Sequence, residues 1–260
     1  MSLASPWIAA VVALFLWWFS TGAILLIVRR ADRAGATAHL LSVVWGVSFL
    51  VLGAAAFRAS LSDPTPAGAY LGFLSALAVW GWIELAFLTG MIAGPNRSKC
   101  PVHTREWDRF LRAWGTVAYH EVLLLVGLTL FYYGSLGAEY AFGLWTYAIL
   151  YVARISAKLN LYLGVPRINT EFVPSSLSHL PSHFRIRKLN WMFPLSITGL
   201  SFVTVFLGER LYSATTATET AGFALLTAIA ALALLEHWLM ILPLPDAKLW
   251  RWMLPAPRPE

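Results

Sequence analysis

The sequence is poor in two kinds of residue, cysteine and charged residues. Its single cysteine, Cys100, excludes an intrachain disulfide and a zinc site built from several cysteines. Charged residues make up 12% of the 260 positions, against about 25% in soluble domains. Because so little charge cannot cover a surface that faces water, a soluble globular protein is excluded. The chain is expected to be an integral membrane protein.

Hydrophobic residues, in contrast, make up 58% of the chain, and the mean hydropathy is +0.66. A helix that crosses a membrane needs about 20 mostly apolar residues. Seven such stretches occur, at about 7–28, 37–57, 67–92, 110–133, 140–163, 191–208 and 219–242. We therefore predict an all-α bundle of seven transmembrane helices in a single domain, 1–260, with a long cytoplasmic loop at 164–190.

The net charge of +6 would suit a nucleic-acid partner, but the positions of the basic residues indicate membrane orientation instead. Fifteen of the 19 Lys and Arg residues fall in four alternate segments, and two fall in the loops between them. The four segments are 29–36, 93–112, 164–190 and a C-terminal tail with Lys248, Arg251 and Arg258. This alternation predicts a periplasmic N-terminus, a cytoplasmic C-terminus, a lipid bilayer as partner and no nucleic acid.

Ionisable residues inside the apolar stretches are energetically costly and so are candidates for function. They are Glu84, His120, Glu121, Arg154, Lys158, Glu236 and His237. At 1.5 Å per residue they lie about 8 to 16 Å from the cytoplasmic ends of their predicted helices, which predicts one buried polar cluster. Two interpretations remain open: an ion-pair network that fixes helix packing, or a pocket for a ligand, a metal or a proton. Any catalytic residue would come from this cluster.

Carboxylates and imidazoles are the ligands of di-iron and di-manganese centres. The candidate metal ligands are therefore Glu84, Glu121, Glu236 and His237. However, the Glu-x-x-His spacing typical of such centres is absent. In the adjacent pairs 120–121 and 236–237 the side chains diverge by about 100°, so we expect only one of each pair to face a common centre.

Histidines also serve as axial ligands of haem or of chlorophyll magnesium. The candidate cofactor ligands are His120, His237, His179 and His183, and His39 is also eligible. The spacing of His179 and His183 would suit one helix face, although Pro181 between them disfavours a regular helix. For His120, His237 and His39, a hydrogen-bonded position in the protein core is the commoner alternative.

Motifs along nearly the whole chain carry a family resemblance. They are WWFSTG at 17–22, NRSKCP at 96–101, HE at 120–121, ARISAKLNLYLGVPRINTEF at 153–172, LSHLPSHF at 177–184 and EHWLMILPLPD at 236–246. With these motifs the sequence resembles the photosynthetic complex assembly protein 2 family (PuhE) of purple phototrophic bacteria. The resemblance implies a multi-pass protein of the bacterial inner (intracytoplasmic photosynthetic) membrane. Its implied role is to assist assembly of the reaction centre and light-harvesting complex, or to supply bacteriochlorophyll to it.

Three functions are weighed on these observations. The favoured one is a non-catalytic assembly factor that binds reaction-centre or light-harvesting subunits, other assembly or pigment-biosynthesis proteins, or bacteriochlorophyll or its precursor. The second is a metal-dependent membrane oxidoreductase or tetrapyrrole-modifying enzyme that uses the Glu/His cluster, with iron as its cofactor. The third, a transporter or proton pathway, is disfavoured because no acid or base is predicted in the outer half of the bilayer.

Overall fold

The computed structural model describes residues 3–244, and this part of the chain is helical. Its α-helices are α1 (Pro6–Ala34), α2 (Ala36–Ser60), α3 (Pro66–Leu88), α4 (Glu106–Gly115), α5 (Ala118–Gly134), α6 (Phe142–Leu163), α7 (Met192–Tyr212) and α8 (Ala217–Leu239). Within the described range no β-strand forms, and one bridge joins Val165 to Ile186. The predicted all-α class is confirmed. The tail residues Lys248, Arg251 and Arg258 lie outside the described residues.

Five of the helices, α1, α2, α3, α7 and α8, are long and apolar enough to cross a membrane. The bent pair α4 and α5 counts as a sixth if the two helices form one span. Helix α6 has 22 residues but does not qualify, because Arg154 and Lys158 lower its hydropathy. The structure therefore supports a multi-pass membrane protein with five or six candidate spans, and the predicted number of seven is not confirmed.

The predicted fourth span, 110–133, is not one helix, which corrects the sequence-based prediction. Helices α4 and α5 meet at an angle of 65°. The segment that follows α3 stabilises this break, since the side-chain amide of Asn96 donates to the carbonyl of Arg112 at 2.9 Å. In addition, the backbone N–H of His120 donates to the carbonyl of Ala93 at 3.2 Å. Hydropathy averaged over the whole stretch conceals a break that such tertiary contacts produce.

Helix α4 is amphipathic in a way that its neighbours are not. Trp107, Leu111 and Trp114 are exposed, and their spacing places them on one face of the helix. Arg109, on the opposite side, is buried against the bundle. Exposed Trp on one face and charged residues elsewhere are typical of a helix that lies along a membrane surface.

Helices α3, α6 and α8 form the centre of the bundle, and α1, α2, α5 and α7 pack around them. Phe73, Leu225 and Ile229 lie in the main apolar core, between α3 and α8. Helices α3 and α6 approach closely because Gly72 and Gly143 face each other. A Cβ atom on Gly72 would lie 2.9 Å from the backbone nitrogen of Gly143. This close packing brings the polar residues of α3 and α6 within reach of one another.

The segment 164–190 packs against the cytoplasmic end of the bundle, as defined by the predicted topology. Leu177 and Leu180 are buried and contact a small apolar cluster that contains Phe87 at the end of α3. At the end of the segment the side-chain oxygen of Asn190 accepts hydrogen bonds from the backbone N–H groups of Met192 and Phe193, at 2.9 and 3.0 Å. These bonds satisfy donors that a helix start leaves open, and α7 begins there.

Candidate functional site

Five of the seven predicted cluster residues come together between α3, α5 and α6, and we call them the polar chain. They are Glu84, His120, Glu121, Arg154 and Lys158. The guanidinium of Arg154 donates from Nη2 to Oε2 of Glu84 at 2.7 Å. The second oxygen of Glu84, Oε1, lies 3.5 Å from Nε2 of His120. One carboxylate of α3 thus links a cation of α6 to an imidazole of α5.

Lys158 joins Glu121 to His120 at the other end of the polar chain. Its ammonium donates to Oε1 of Glu121 and lies 2.9 Å from Nδ1 of His120. Because an ammonium group can only donate, Nδ1 of His120 must accept. The proton of a neutral His120 therefore sits on Nε2, the nitrogen that faces Glu84.

The sequence accounts for part of this arrangement. Arg154 and Lys158 are four residues apart and so share one face of α6. His120 and Glu121 lie in the first turn of α5, and both contact the Lys158 ammonium. The expectation that only one member of this adjacent pair faces the common centre is wrong, because the long Lys158 side chain reaches between the two.

Phe87 is a member of the site that the sequence analysis did not identify. Its ring lies 4.2 Å from the imidazole of His120, centroid to centroid. The Lys158 ammonium lies 5.2 Å from the same ring centroid, within the range of a cation–π interaction. A phenylalanine in an apolar helix gives no signal in the sequence that would separate it from ordinary core residues.

The polar chain balances its own charge, since two carboxylates alternate with two cations around a fully buried imidazole. Pairing of this kind is how charged groups tolerate burial. Four buried polar atoms of the polar chain have no hydrogen-bond partner: Oε1 of Glu84 and Nε2 of His120, which lie 3.5 Å apart, and Oε2 of Glu121 and Nε of Arg154.

The remaining two predicted residues, Glu236 and His237, lie beside the polar chain and not in it. Nδ1 of His237 lies 2.8 Å from the carbonyl of Ala233, and Nε2 lies 2.9 Å from the hydroxyl of Ser156. Both ring nitrogens are thus occupied, as in an ordinary core histidine. Within residues 3–244, Glu236 makes no hydrogen bond or ion pair.

A cavity of about 820 Å³ adjoins the polar chain. Its walls come from α4, α5, α6, α8 and the 164–190 segment, with Trp17 of α1 and Phe87 and Leu88 of α3, and most of its lining is apolar. The charged and imidazole side chains in its lining are Glu121, Arg154, Lys158, Arg167, His183, Glu236 and His237. Its size lies within the range of about 300–1,000 Å³ that is usual for small-molecule sites, and its mixture of walls is also typical of them.

His179 and His183 lie in the 164–190 segment, where both are buried. Nε2 of His183 donates to the carbonyl of Ser98 at 3.2 Å; His183 ends a short 3-10 helix, Leu180–His183, and His179 precedes its first residue. Burial lowers the pKa of each imidazole below its usual range; the pKa of His179 is lowered further by His183 and Arg97. Both are therefore neutral at physiological pH.

Arg109 holds this segment to the bundle, a role that its sequence position in a basic loop did not reveal. Its Nη2 donates to the carbonyls of His183, at 2.6 Å, and Tyr162, at 3.1 Å. The guanidinium also lies 4.1 Å from the ring centroid of Tyr162. A charged donor shared between a helix end and a loop fixes the loop in place.

His39, also eligible as an axial ligand, lies at the start of α2, apart from the polar chain. Its Nε2 is 3.2 Å from Oδ1 of Asp32. The same Asp32 oxygen accepts from the hydroxyl of Ser175 at 2.8 Å. These contacts join the ends of α1 and α2 to the 164–190 segment.

The candidate metal ligands do not form a ligand set in the part of the chain that the structure describes. No group of three or more His, Cys, Asp and Glu residues in 3–244 is arranged to hold a metal ion. Glu84 and Glu121 are bound by Arg154 and Lys158, and His237 uses both nitrogens elsewhere. The residues present do not fit a di-iron or di-manganese centre.

Comparison with known proteins identifies relatives of the whole chain. A family model described as a protein of unknown function (DUF3623) matches residues 3–260. The chain is 54% identical over 252 residues to an uncharacterized 30.4 kDa protein in the puhA 5′ region of Rhodobacter capsulatus. That alignment covers 97% of this chain and 92% of the relative. No solved structure matches the chain.

Proposed function

The chain belongs to the DUF3623 family, and from this membership and the paired polar chain we propose that it is a non-catalytic assembly factor of the photosynthetic membrane. In this role it assists assembly of the reaction centre and light-harvesting complex, or the supply of bacteriochlorophyll to it. It is then a counterpart of the photosynthetic complex assembly protein 2 family. Its partners are reaction-centre or light-harvesting subunits, or other assembly and pigment-biosynthesis proteins.

The location of its relative's gene supports the photosynthetic role. The Rhodobacter capsulatus protein is encoded in the 5′ region of puhA, a gene of the photosynthetic reaction centre. Because the two chains are 54% identical over almost their full lengths, the same role in both is the simplest inference.

The geometry of the polar chain carries the non-catalytic part of the proposal. Each carboxylate already has a cation as partner, an arrangement suited to fixing helix packing. The alternative of a metal-dependent oxidoreductase or tetrapyrrole-modifying enzyme has less support, because no three ligands converge among the described residues.

The proposal includes the finer topology. Seven helices cross the inner (intracytoplasmic photosynthetic) membrane, with α6 as a polar span enclosed by the others and α5 as a short one. The N-terminus is periplasmic and the C-terminus is cytoplasmic, as the distribution of basic residues favours. Helix α4 then lies along the cytoplasmic surface of the membrane.

An absorption spectrum and a metal analysis of the detergent-purified protein test the proposal. We expect at most trace iron, together with either bound bacteriochlorophyll or copurifying reaction-centre or light-harvesting subunits. Iron at close to one atom per chain would support the alternative enzyme and overturn the proposal if Glu84→Ala removes both the iron and the oxidoreductase or tetrapyrrole-modifying activity.

A further inference from the structure

We propose that the outer side of helix α4, together with the flanking segments 95–105 and 185–191, is a binding surface for anionic phospholipids. The lipid phosphate occupies a groove between α4 and the segment before it, and the acyl chains lie along the exposed apolar face of α4. The inference rests on the proposed function only in placing α4 at a membrane surface, and it is independent of the assembly role.

The groove has the lining that a phosphate group needs. Its volume is about 610 Å³, and its lining residues are Asn96, His103, Thr104, Arg105, Asp108, Leu111 and Arg112. The two arginines are exposed, and within residues 3–244 their side chains make no ion pair or hydrogen bond. Guanidinium groups bind phosphate oxygens through paired hydrogen bonds. Two unpaired arginines against one carboxylate, Asp108, therefore favour an anion.

The surface around the groove is also positively charged. Segments 95–112 and 185–191 together contain eight Lys and Arg residues and two acids, Glu106 and Asp108. Glu106 is already paired with Arg185, and it lies 4.0 Å from Arg109, so it does not offset the arginines of the groove. Basic residues close to a membrane surface each add attraction for anionic lipids.

The groove adjoins an apolar face, which a lipid can use and a soluble anion cannot. Leu111 lines the groove and also belongs, with Trp107 and Trp114, to the exposed face of α4. Exposed apolar and basic residues are also interleaved along 186–191. Apolar and aromatic residues of an amphipathic helix bury themselves at the boundary between head groups and acyl chains. The surface therefore fits a phospholipid with an anionic head group.

Hydrogen bonds hold the two walls of the groove together. Asn96 donates from its backbone N–H to the carbonyl of Gly115 at 3.0 Å and from its side-chain amide to the carbonyl of Arg112 at 2.9 Å. Arg105 and Arg112 are about two turns of helix apart and so lie on the same side of α4. Because the walls are already in place, little ordering of the backbone is needed when a head group binds.

Native mass spectrometry of the full-length protein in a mild detergent tests the inference. The protein is titrated with dioleoyl phosphatidylglycerol and with dioleoyl phosphatidylcholine, which share their acyl chains and differ in head-group charge. The dissociation constant of the first bound lipid is compared between the two. Glycerophosphoglycerol, the anionic head group without acyl chains, is titrated at the same concentrations.

We expect phosphatidylglycerol to bind about tenfold more tightly than phosphatidylcholine. Arg105→Gln/Arg112→Gln should abolish this preference and leave the affinity for phosphatidylcholine unchanged. Arg58→Gln/Arg210→Gln removes two exposed arginines elsewhere in the chain and, as the matched control, should keep the preference. Trp107→Gln should weaken both lipids by a similar factor, about threefold, because it removes only apolar contact.

Three results would overturn the inference: equal affinity for the two lipids, a preference that persists in Arg105→Gln/Arg112→Gln, or glycerophosphoglycerol binding as tightly as the lipid. The last result would assign the groove to a soluble anion. Because all the substituted side chains are exposed, the variants are expected to fold, and their melting temperatures check this.

The lipid preference and the proposed function fail in different measurements. Lipid binding is measured on the purified protein, whereas assembly of the photosynthetic complex is measured in the cell. The proposed orientation is measured at Cys100, the one cysteine of the chain, which is half-buried in the segment before α4. Labelling of Cys100 by a membrane-impermeant maleimide from the periplasmic side alone would overturn the orientation and leave the lipid preference standing.

Discussion

Removing Arg154 should destabilise the protein more than removing Glu84, and removing both should cost less than the sum. In Arg154→Met, the Glu84 carboxylate stays buried, with 11% of its side chain exposed, and loses its partner at 2.7 Å. A stranded buried charge costs about 3–5 kcal/mol; we expect about 3, because His120 remains nearby. In Glu84→Gln the amide oxygen of the new side chain still accepts from Arg154, and the Arg154 side chain is less buried than Glu84, at 34% against 11% exposed, so we expect a smaller cost of about 1 kcal/mol.

The double variant Glu84→Gln/Arg154→Met leaves no stranded charge, and we expect it to lose about 2 kcal/mol, which gives a coupling energy of about 2 kcal/mol. Thermal unfolding in detergent measures these differences, and about 2–4 °C corresponds to each kcal/mol in a chain of this size. The Arg185–Glu106 pair is the matched control, because its Glu106 side chain is 70% exposed and its coupling should stay below about 1 kcal/mol. Equal coupling in the two pairs would refute the view that the polar chain is a buried ion-pair network.

Three further predictions concern the 164–190 segment and α8. Arg109→Met removes two hydrogen bonds to carbonyls, so we expect amide hydrogen exchange in 164–190 to become about tenfold faster, whereas Arg112→Met, at an exposed position, should leave it unchanged. Burial lowers the pKa of His179 in the folded state. The folded protein therefore keeps the His179 imidazole neutral at a pH where the unfolded chain, with a pKa of about 6.5, already binds a proton. This contribution to stability is present above about pH 6.5 and is lost as the pH falls through the lower pKa of the folded state. The melting temperature should therefore fall less between about pH 7.5 and 5.5 in His179→Gln than in the wild type; an identical fall would contradict this. Thr216→Ala removes the side-chain cap at the start of α8 and should lower the free energy of unfolding by about 1 kcal/mol in the same melting assay.

The sequence predicted the members of the polar chain because ionisable residues in apolar helices are costly wherever they occur. It could not predict which groups pair, since the partners of Lys158 depend on how α5 begins. The break before α5 was missed for a related reason, because hydropathy averages over a window and the contacts of Asn96 come from a distant segment. Arg109 and Phe87 were missed because a loop arginine and a core phenylalanine look ordinary in a sequence.

Deletion of the relative's gene in Rhodobacter capsulatus, with complementation by the gene of this chain, tests the proposed assembly role most directly. The quantities measured are the assembled reaction centre and light-harvesting complex per cell and the pool of bacteriochlorophyll precursors. A non-catalytic assembly factor predicts less assembled complex with a normal precursor pool, and recovery of the complex when the gene of this chain is supplied. Accumulation of one specific tetrapyrrole intermediate would contradict this role and indicate an enzyme.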